Sequence, residues 1–282
     1  MGGASAPNLK GVYLAQMPSP QLMSRLCCGC GFPSVQSALA LGVAGLGLLL
    51  ATPAAAAPPA AMPSGAQLQL LEKALNGGAE LGAVLENGTG LDVTLVELRR
   101  KALLGQFPDA RWQVGPGEPL RDGRATVKLQ VTGSRQDGPT RWRLDAHQQL
   151  VLSSSGSRIN GQTVIREQAL LRSGEVDLPV SLLIPDAVLT GQRYDLDVLI
   201  DEPLDGAIVA GGLVALTGQQ VSSLESPDLQ LGALGGGGLF KTVQAPFTPG
   251  SQTWAVLLVH PKGLVSASKR VRVVTDQAQL NP

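Results

Sequence analysis

The chain has two histidines, and one of them lies beside an acidic residue in a pattern that suggests catalysis. Asp145 and His147 are two positions apart in a segment where polar and apolar residues alternate. Residues i and i+2 of a β-strand point to the same face, so this pair would act as acid and base, with Trp142 as a nearby wall. We favour the alternative, a strand histidine without chemistry, because no nucleophile or zinc-peptidase motif accompanies the pair.

A group of carboxylates is the second candidate site. Asp195, Asp197 and Asp201 would share one face of a strand. Three carboxylates on one face are candidate ligands for Ca²⁺, which binds about six to eight oxygen atoms. No known calcium-loop spacing accompanies them, so we favour a solvated strand face whose charges prevent edge pairing. We expect no bound metal and no cofactor.

A run of four glycines, Gly235 to Gly238, invites comparison with a phosphate-binding loop. The Walker pattern requires glycine immediately before its lysine, and here Phe240 precedes Lys241. The residues that follow alternate as in a strand rather than a helix. A flexible hairpin loop is therefore the favoured interpretation.

The charge balance argues against polyanionic partners. The chain has 22 basic and 22 acidic residues. Arginines and tryptophans mingle between Arg111 and Arg158, which is compatible with base stacking, but nearby acids favour a salt-bridged outer sheet face. We expect neither nucleic acid nor an anionic membrane surface as a partner.

The N-terminal region has the pattern of an export signal. Ala38 to Leu50 fits an apolar signal-peptide core, and cleavage after Ala56 would leave Ala57 as the first mature residue. Residues 1–57 are therefore interpreted as a signal peptide with a possible start-site extension. We expect export to a periplasm or a thylakoid lumen. If the signal is not cleaved, the protein would instead be anchored in a membrane through this segment alone.

An α+β domain is expected over residues 66–174, after a linker at 58–65. Leucines at helical spacing predict a helix from Ala66 to Asn76. Asp92 is expected to cap a second helix. Its predicted apolar stripe consists of Leu95, Leu98, Ala102 and Leu103. Long alternating segments then predict antiparallel strands at 124–132, 141–152 and 158–171. This order of elements is similar to that of NTF2-like and cystatin-like folds.

Residues 175–275 show no helical periodicity and contain short alternating segments between proline and glycine turns. They predict an all-β, immunoglobulin-like sandwich, followed by a polar tail at 276–282. The predicted fold class is therefore α+β, with helices packed on an antiparallel sheet and then a sandwich.

Two segments, residues 178–213 and 235–263, resemble a group of uncharacterised exported proteins from cyanobacteria. The resemblance implies an exported setting and supplies no catalytic residues. We expect an exported, non-enzymatic binding or scaffolding protein whose partner is another protein or a small ligand. The alternatives are a ligand carrier or enzyme with its pocket in the first domain, and a membrane-anchored protein.

Overall fold

The described part of the chain is mainly antiparallel β-structure. The computed structural model describes residues 61–174, 178–202, 207, 209–234 and 237–282. Strands account for 50% of it and helices for 18%. The predicted signal, including Ala56 and Ala57, lies outside these residues. Among the residues that are described, no helix is long and apolar enough to cross a membrane.

Three of the four α-helices in the described residues begin at a side-chain cap. The α-helices of the described residues are α1 (Gly65–Leu75), α2 (Leu81–Val84), α3 (Val93–Gln106) and α4 (Gly218–Ser223). A capping box joins Ser64 and Gln67 at the start of α1, and the Asp92 carboxylate accepts the Leu95 N–H at the start of α3. α4 was not expected from the sequence, although Thr217 gives it a capping box as well.

Twelve strands in the described residues form two sheets. They are β1 (Arg111–Pro116), β2 (Val127–Asp137), β3 (Thr140–Ser155), β4 (Arg158–Ser173), β5 (Val180–Leu183), β6 (Ala187–Leu189), β7 (Arg193–Ile200), β8 (Ala210–Leu216), β9 (Gly232–Ala233), β10 (Gly238–Gln244), β11 (Gly250–His260) and β12 (Gly263–Val274). The nine-stranded sheet has the order β1-β2-β3-β4-β12-β11-β8-β9, with β6 beside β12, and the three-stranded sheet has the order β10-β7-β5.

Two large hydrophobic cores and a small cluster of Leu216, Ala255 and Leu257 lie on the nine-stranded sheet in the described residues. The first core joins the apolar sides of α1, α3 and strands β1 to β4, and includes Leu71, Leu103, Leu129 and Leu144. The second core lies between the two sheets and includes Leu196, Val256, Leu258 and Val271. Strict alternation along β3 sends every second side chain into the first core, which is why this sequence forms a strand there.

The predicted fold class is wrong. β4 pairs directly with β12, so one sheet continues from residues 111–173 into residues 210–274, and strand structure dominates over four short helices in the described chain. The alternation in the sequence identified strands, but it carries no information about which distant strand becomes the neighbour. The likeness to NTF2-like and cystatin-like folds rested on the predicted arrangement of helices packed on a separate antiparallel sheet. That likeness therefore has no support in the structure.

The apolar stripe predicted for the second helix is only partly correct: Leu103 is buried, and Ala102 packs against the first core. Leu98, placed in the apolar stripe, is 51% exposed. The buried residues of α3 are Val96, Arg99 and Leu103. A charged residue that points inward shifts the buried face, and a pattern of apolar residues alone does not reveal it.

Candidate functional site

The nine-stranded sheet splits between β4 and β12. These strands pair from Gln168 with Lys269 to Arg172 with Val265. Beyond Gln168 and Lys269 they separate, and β12 pairs in parallel with β6 instead, through Arg272 to Val274. A gap therefore opens between the first half of β4 and the last residues of β12.

The gap forms a cleft of about 430 Å³. That volume lies within the range of small-ligand sites, roughly 300 to 1,000 Å³. The side chains that bring charge or hydrogen-bonding groups to it include Arg124, Gln162, Thr163, Arg270, Arg272 and Gln279. We refer to it as the arginine cleft.

Three guanidinium groups define the chemistry of the arginine cleft. Arg270 and Arg272 are two residues apart on β12, so both point to the same face of the sheet. Arg124 comes from the segment before β2. Its Nη2 lies 2.7 Å from Oδ2 of Asp122, and Nη1 of Arg270 lies 3.3 Å from Oε2 of Glu167.

Arg272 crosses the gap and donates to backbone oxygens. Its Nε donates to the carbonyl of Ile165 at 3.1 Å. Nη1 and Nη2 donate to the carbonyls of Gln279 and Leu280, at 3.0 and 3.3 Å. Arg272 therefore helps to hold the C-terminal segment against the cleft, together with the Arg121 N–H, which donates to the Pro282 carbonyl at 2.8 Å.

The charges around Arg272 favour an anion. Burial lowers the pKa of Arg272, Asp186 raises it, and the neighbouring guanidinium groups of Arg124, Arg166 and Arg270 lower it further. The neighbouring guanidinium groups repel the charge of Arg272, in a place that is partly shielded from water. A carboxylate or phosphate placed there would relieve that repulsion.

A buried ionic network supports the wall of the cleft behind Arg270. Glu167 is 2% exposed, and the amide of Gln148 on the neighbouring strand donates to its carboxylate. Arg99 reaches this region from α3, and its Nη2 donates to the carbonyl of Val221 on α4 at 2.8 Å. Burial lowers the pKa of Arg99 to about 10, while the charge of Glu167 raises it. The network joins α3, α4, β4 and β12.

Asp145 and His147 share one face of β3, as expected, but Trp142 is on the other. Trp142 is buried in the first core, where Arg135 lies 5.5 Å from its ring centroid. Partial burial lowers the pKa of His147, and the charge of Asp145 raises it. The core beneath β3 is filled by Leu, Val and Ile side chains around a cavity of only about 10 Å³, which neither residue lines.

Two of the three aspartates accept local hydrogen bonds from hydroxyl groups. Asp195 accepts a hydrogen bond from the Thr242 hydroxyl at 2.6 Å, and Asp201 accepts one from Ser181 at 2.9 Å. Within the described ranges, no group of three or more His, Cys, Asp or Glu side chains is arranged to hold a metal ion. Of the glycine run, Gly235 and Gly236 lie outside the described residues, and Gly238 begins strand β10 rather than a helix.

Sequence reasoning missed Arg270 and Arg272. Their i, i+2 spacing in an alternating segment indicates a shared face, and this signal is readable from the sequence alone. The cleft itself depends on the separation of β4 from β12, strands that are about a hundred residues apart in the chain, which no local pattern reports.

Comparison with known families gives one partial match. Residues 175–274 match the family described as Domain of unknown function (DUF8623). The matched part begins where the sequence places its domain boundary, ends with β12 and contains Arg270 and Arg272 but not Arg124 or Glu167. No curated protein matches the chain. The division at residue 174 and the likeness to exported cyanobacterial proteins stay predictions.

Proposed function

We propose that the protein is an exported, non-enzymatic binding protein that holds a small anionic ligand in the arginine cleft. The observation that carries this is the meeting of three guanidinium groups around a cleft of about 430 Å³. The planar, forked guanidinium matches the two oxygens of a carboxylate or a phosphate.

The rest of the lining limits the ligand further. Val164, Ile165 and Val273 complete the lining near the arginines, and each of them is 5% exposed or less. A ligand with one anionic group and an apolar body would contact both the arginines and the apolar lining residues, whereas an inorganic ion would leave the apolar lining residues uncovered. Medium-length carboxylic acids and phosphate monoesters are the classes that fit.

Binding is favoured over catalysis by the chemistry of the lining. Guanidinium groups stay protonated at neutral pH and do not serve as acid or base. The export part of the proposal is supported by the signal pattern at residues 38–57, with a periplasm or thylakoid lumen as the setting. Mass spectrometry of the native protein tests it, since a chain that retains residues before Ala57 would contradict cleavage.

The binding proposal is tested by isothermal titration calorimetry with octanoate, octyl phosphate and uncharged octanol. We expect the anions to bind and octanol not to bind. Arg124→Gln removes one charged donor from the rim and is expected to weaken anion binding roughly tenfold, which is about 1.4 kcal/mol.

Arg158→Gln is the matched control, because Arg158 is an exposed arginine on the same strand as the cleft residues of β4 but does not line the cleft. It should leave the affinity unchanged. Equal binding of octanol and octanoate, or equal losses in the two variants, would contradict the proposal.

A further inference from the structure

The three-stranded sheet has an open edge at β10. In the described chain, β10 pairs with β7 on one side and is the outer strand of its sheet. The Ala245 N–H donates to the Gln192 carbonyl at 2.8 Å, and the Ile200 N–H donates to the Gly237 carbonyl at 2.9 Å. The backbone N–H and C=O groups of the odd-numbered residues of β10 therefore point toward β7. The backbone groups that point away from β7 belong to Gly238, Phe240, Thr242 and Gln244.

One outer strand of the larger sheet, β1, is closed by comparison. The side-chain amide of Asn76 donates to the Trp112 carbonyl at 2.8 Å and accepts the Trp112 N–H at 3.1 Å. The Glu72 carboxylate accepts the Val114 N–H at 2.7 Å. Side chains of α1 thus take the place of a neighbouring strand, and no described residue does the same for β10.

Apolar side chains stand on the outward face beside the β10 edge. Phe240 is 62% exposed and Leu183 is 57% exposed. Both pair across the sheet with Asp197, from opposite sides. Phe247, just beyond the end of β10, is 80% exposed. Exposed aromatic residues next to unpaired backbone groups are typical of a surface that binds another chain.

The charge of this face indicates the chemistry of the partner. Asp195 and Asp197 share it, and Asp201 follows at the end of β7, whereas Arg193 is the cation of β7 at its other end. Lys241 is exposed but lies on the opposite face of β10, where its Nζ is 5.9 Å from the Trp254 ring centroid. A partner segment with basic side chains would complement this surface.

We propose that β10 binds an extended segment of a partner protein, alternating apolar and basic residues, as the fourth strand of this sheet. Backbone hydrogen bonds at the even-numbered residues would supply affinity. The basic side chains of the bound segment would contact Phe240 and the aspartates on the outward face, and its apolar side chains would lie on the other face, beside Leu239 and Val243. A second copy of the chain fits less well. Antiparallel pairing of two β10 strands centred on Lys241 would oppose two lysines and bring two acidic faces together.

The test uses fluorescence anisotropy with the full chain and a labelled seven-residue peptide of alternating lysine and valine. A second peptide carries N-methyl groups on alternate residues, so it keeps every charge and loses the backbone donors on one edge. We expect the first peptide to bind and the methylated one to bind at least roughly tenfold more weakly, since strand pairing supplies most of the affinity.

A pair of variants locates the site. Thr242→Pro removes an outward N–H that has no strand partner in the described chain, and Thr242→Ala keeps it. The proline variant should lose peptide binding and the alanine variant should keep it. Circular dichroism shows whether the proline variant folds. If it does not, the comparison of the two peptides on the unaltered protein still tests whether strand pairing is the mode of binding. Equal binding of both peptides, no binding of either, or self-association of the chain through this edge would overturn the proposal.

Discussion

At the residue scale, a single buried carboxylate, Glu167, offsets the charges of two arginines. It lies between Arg270, at 3.3 Å, and Arg99, whose pKa its charge raises. Burying a charged group costs free energy unless an opposite charge is paired with it. Removing one partner of a buried ion pair destabilises the fold more than replacing the whole pair with apolar residues. The stability of the region where α3, α4 and β12 meet should therefore depend strongly on this residue.

Glu167→Gln keeps the shape and removes the charge. We expect the free energy of unfolding to fall by about 3 kcal/mol, because two buried guanidinium groups lose their counter-charge. Urea denaturation at neutral pH measures it. Glu86→Gln is the control, since Glu86 is exposed, and it should change stability by less than about 0.5 kcal/mol. Equal losses in the two variants would show that the carboxylate is not needed.

At the scale of elements, the closure of β1 by α1 makes a specific prediction. Asn76→Ala leaves the Trp112 N–H and carbonyl without their side-chain partner, which should cost about 2 kcal/mol. It also exposes the edge of a nine-stranded sheet, so self-association should increase. Urea denaturation and sedimentation at two protein concentrations measure both effects.

Asn76→Asp separates the two hydrogen bonds. It keeps an acceptor for the Trp112 N–H but places a carboxylate oxygen against the Trp112 and Glu72 carbonyls, to which the Asn76 amide donates at 2.8 and 2.9 Å. At neutral pH its loss of stability should therefore be at least as large as that of Asn76→Ala. If the alanine variant is as stable and as monodisperse as the parent, the helix does not protect this edge.

Elements with a regular local pattern were predictable from the sequence. The strand expected at residues 141–152 lies within β3 (Thr140–Ser155), because its alternation reflects burial on one side. The face of α3 was not predictable, since Arg99 is buried by partners from β4 and α4. The arginine cleft was predictable in one part only: the shared face of Arg270 and Arg272 is local, and the split that exposes them is not.

At the scale of the whole molecule, one sheet connects the two cores. The pairing of β4 with β12 joins strands that contribute to the first core with strands that contribute to the second. The tryptophans report on the two cores separately, since Trp112 and Trp142 lie in the first and Trp254 in the second. Separate unfolding of the cores would require these backbone hydrogen bonds to break while each half stays folded.

We therefore expect the described chain to unfold as one cooperative unit, although the sequence predicts two domains. Val271→Ala removes buried methyl groups from the second core and should cost about 1 to 2 kcal/mol. In a Trp254→Phe background the fluorescence comes from the first core, and in a Trp112→Phe, Trp142→Phe background it comes from the second. If the unit is cooperative, Val271→Ala lowers the urea midpoint equally in both backgrounds. A shift confined to the Trp254 signal, with the other midpoint changed by less than about 0.1 M, would mean that the cores unfold independently and that the boundary at residue 174 separates two domains.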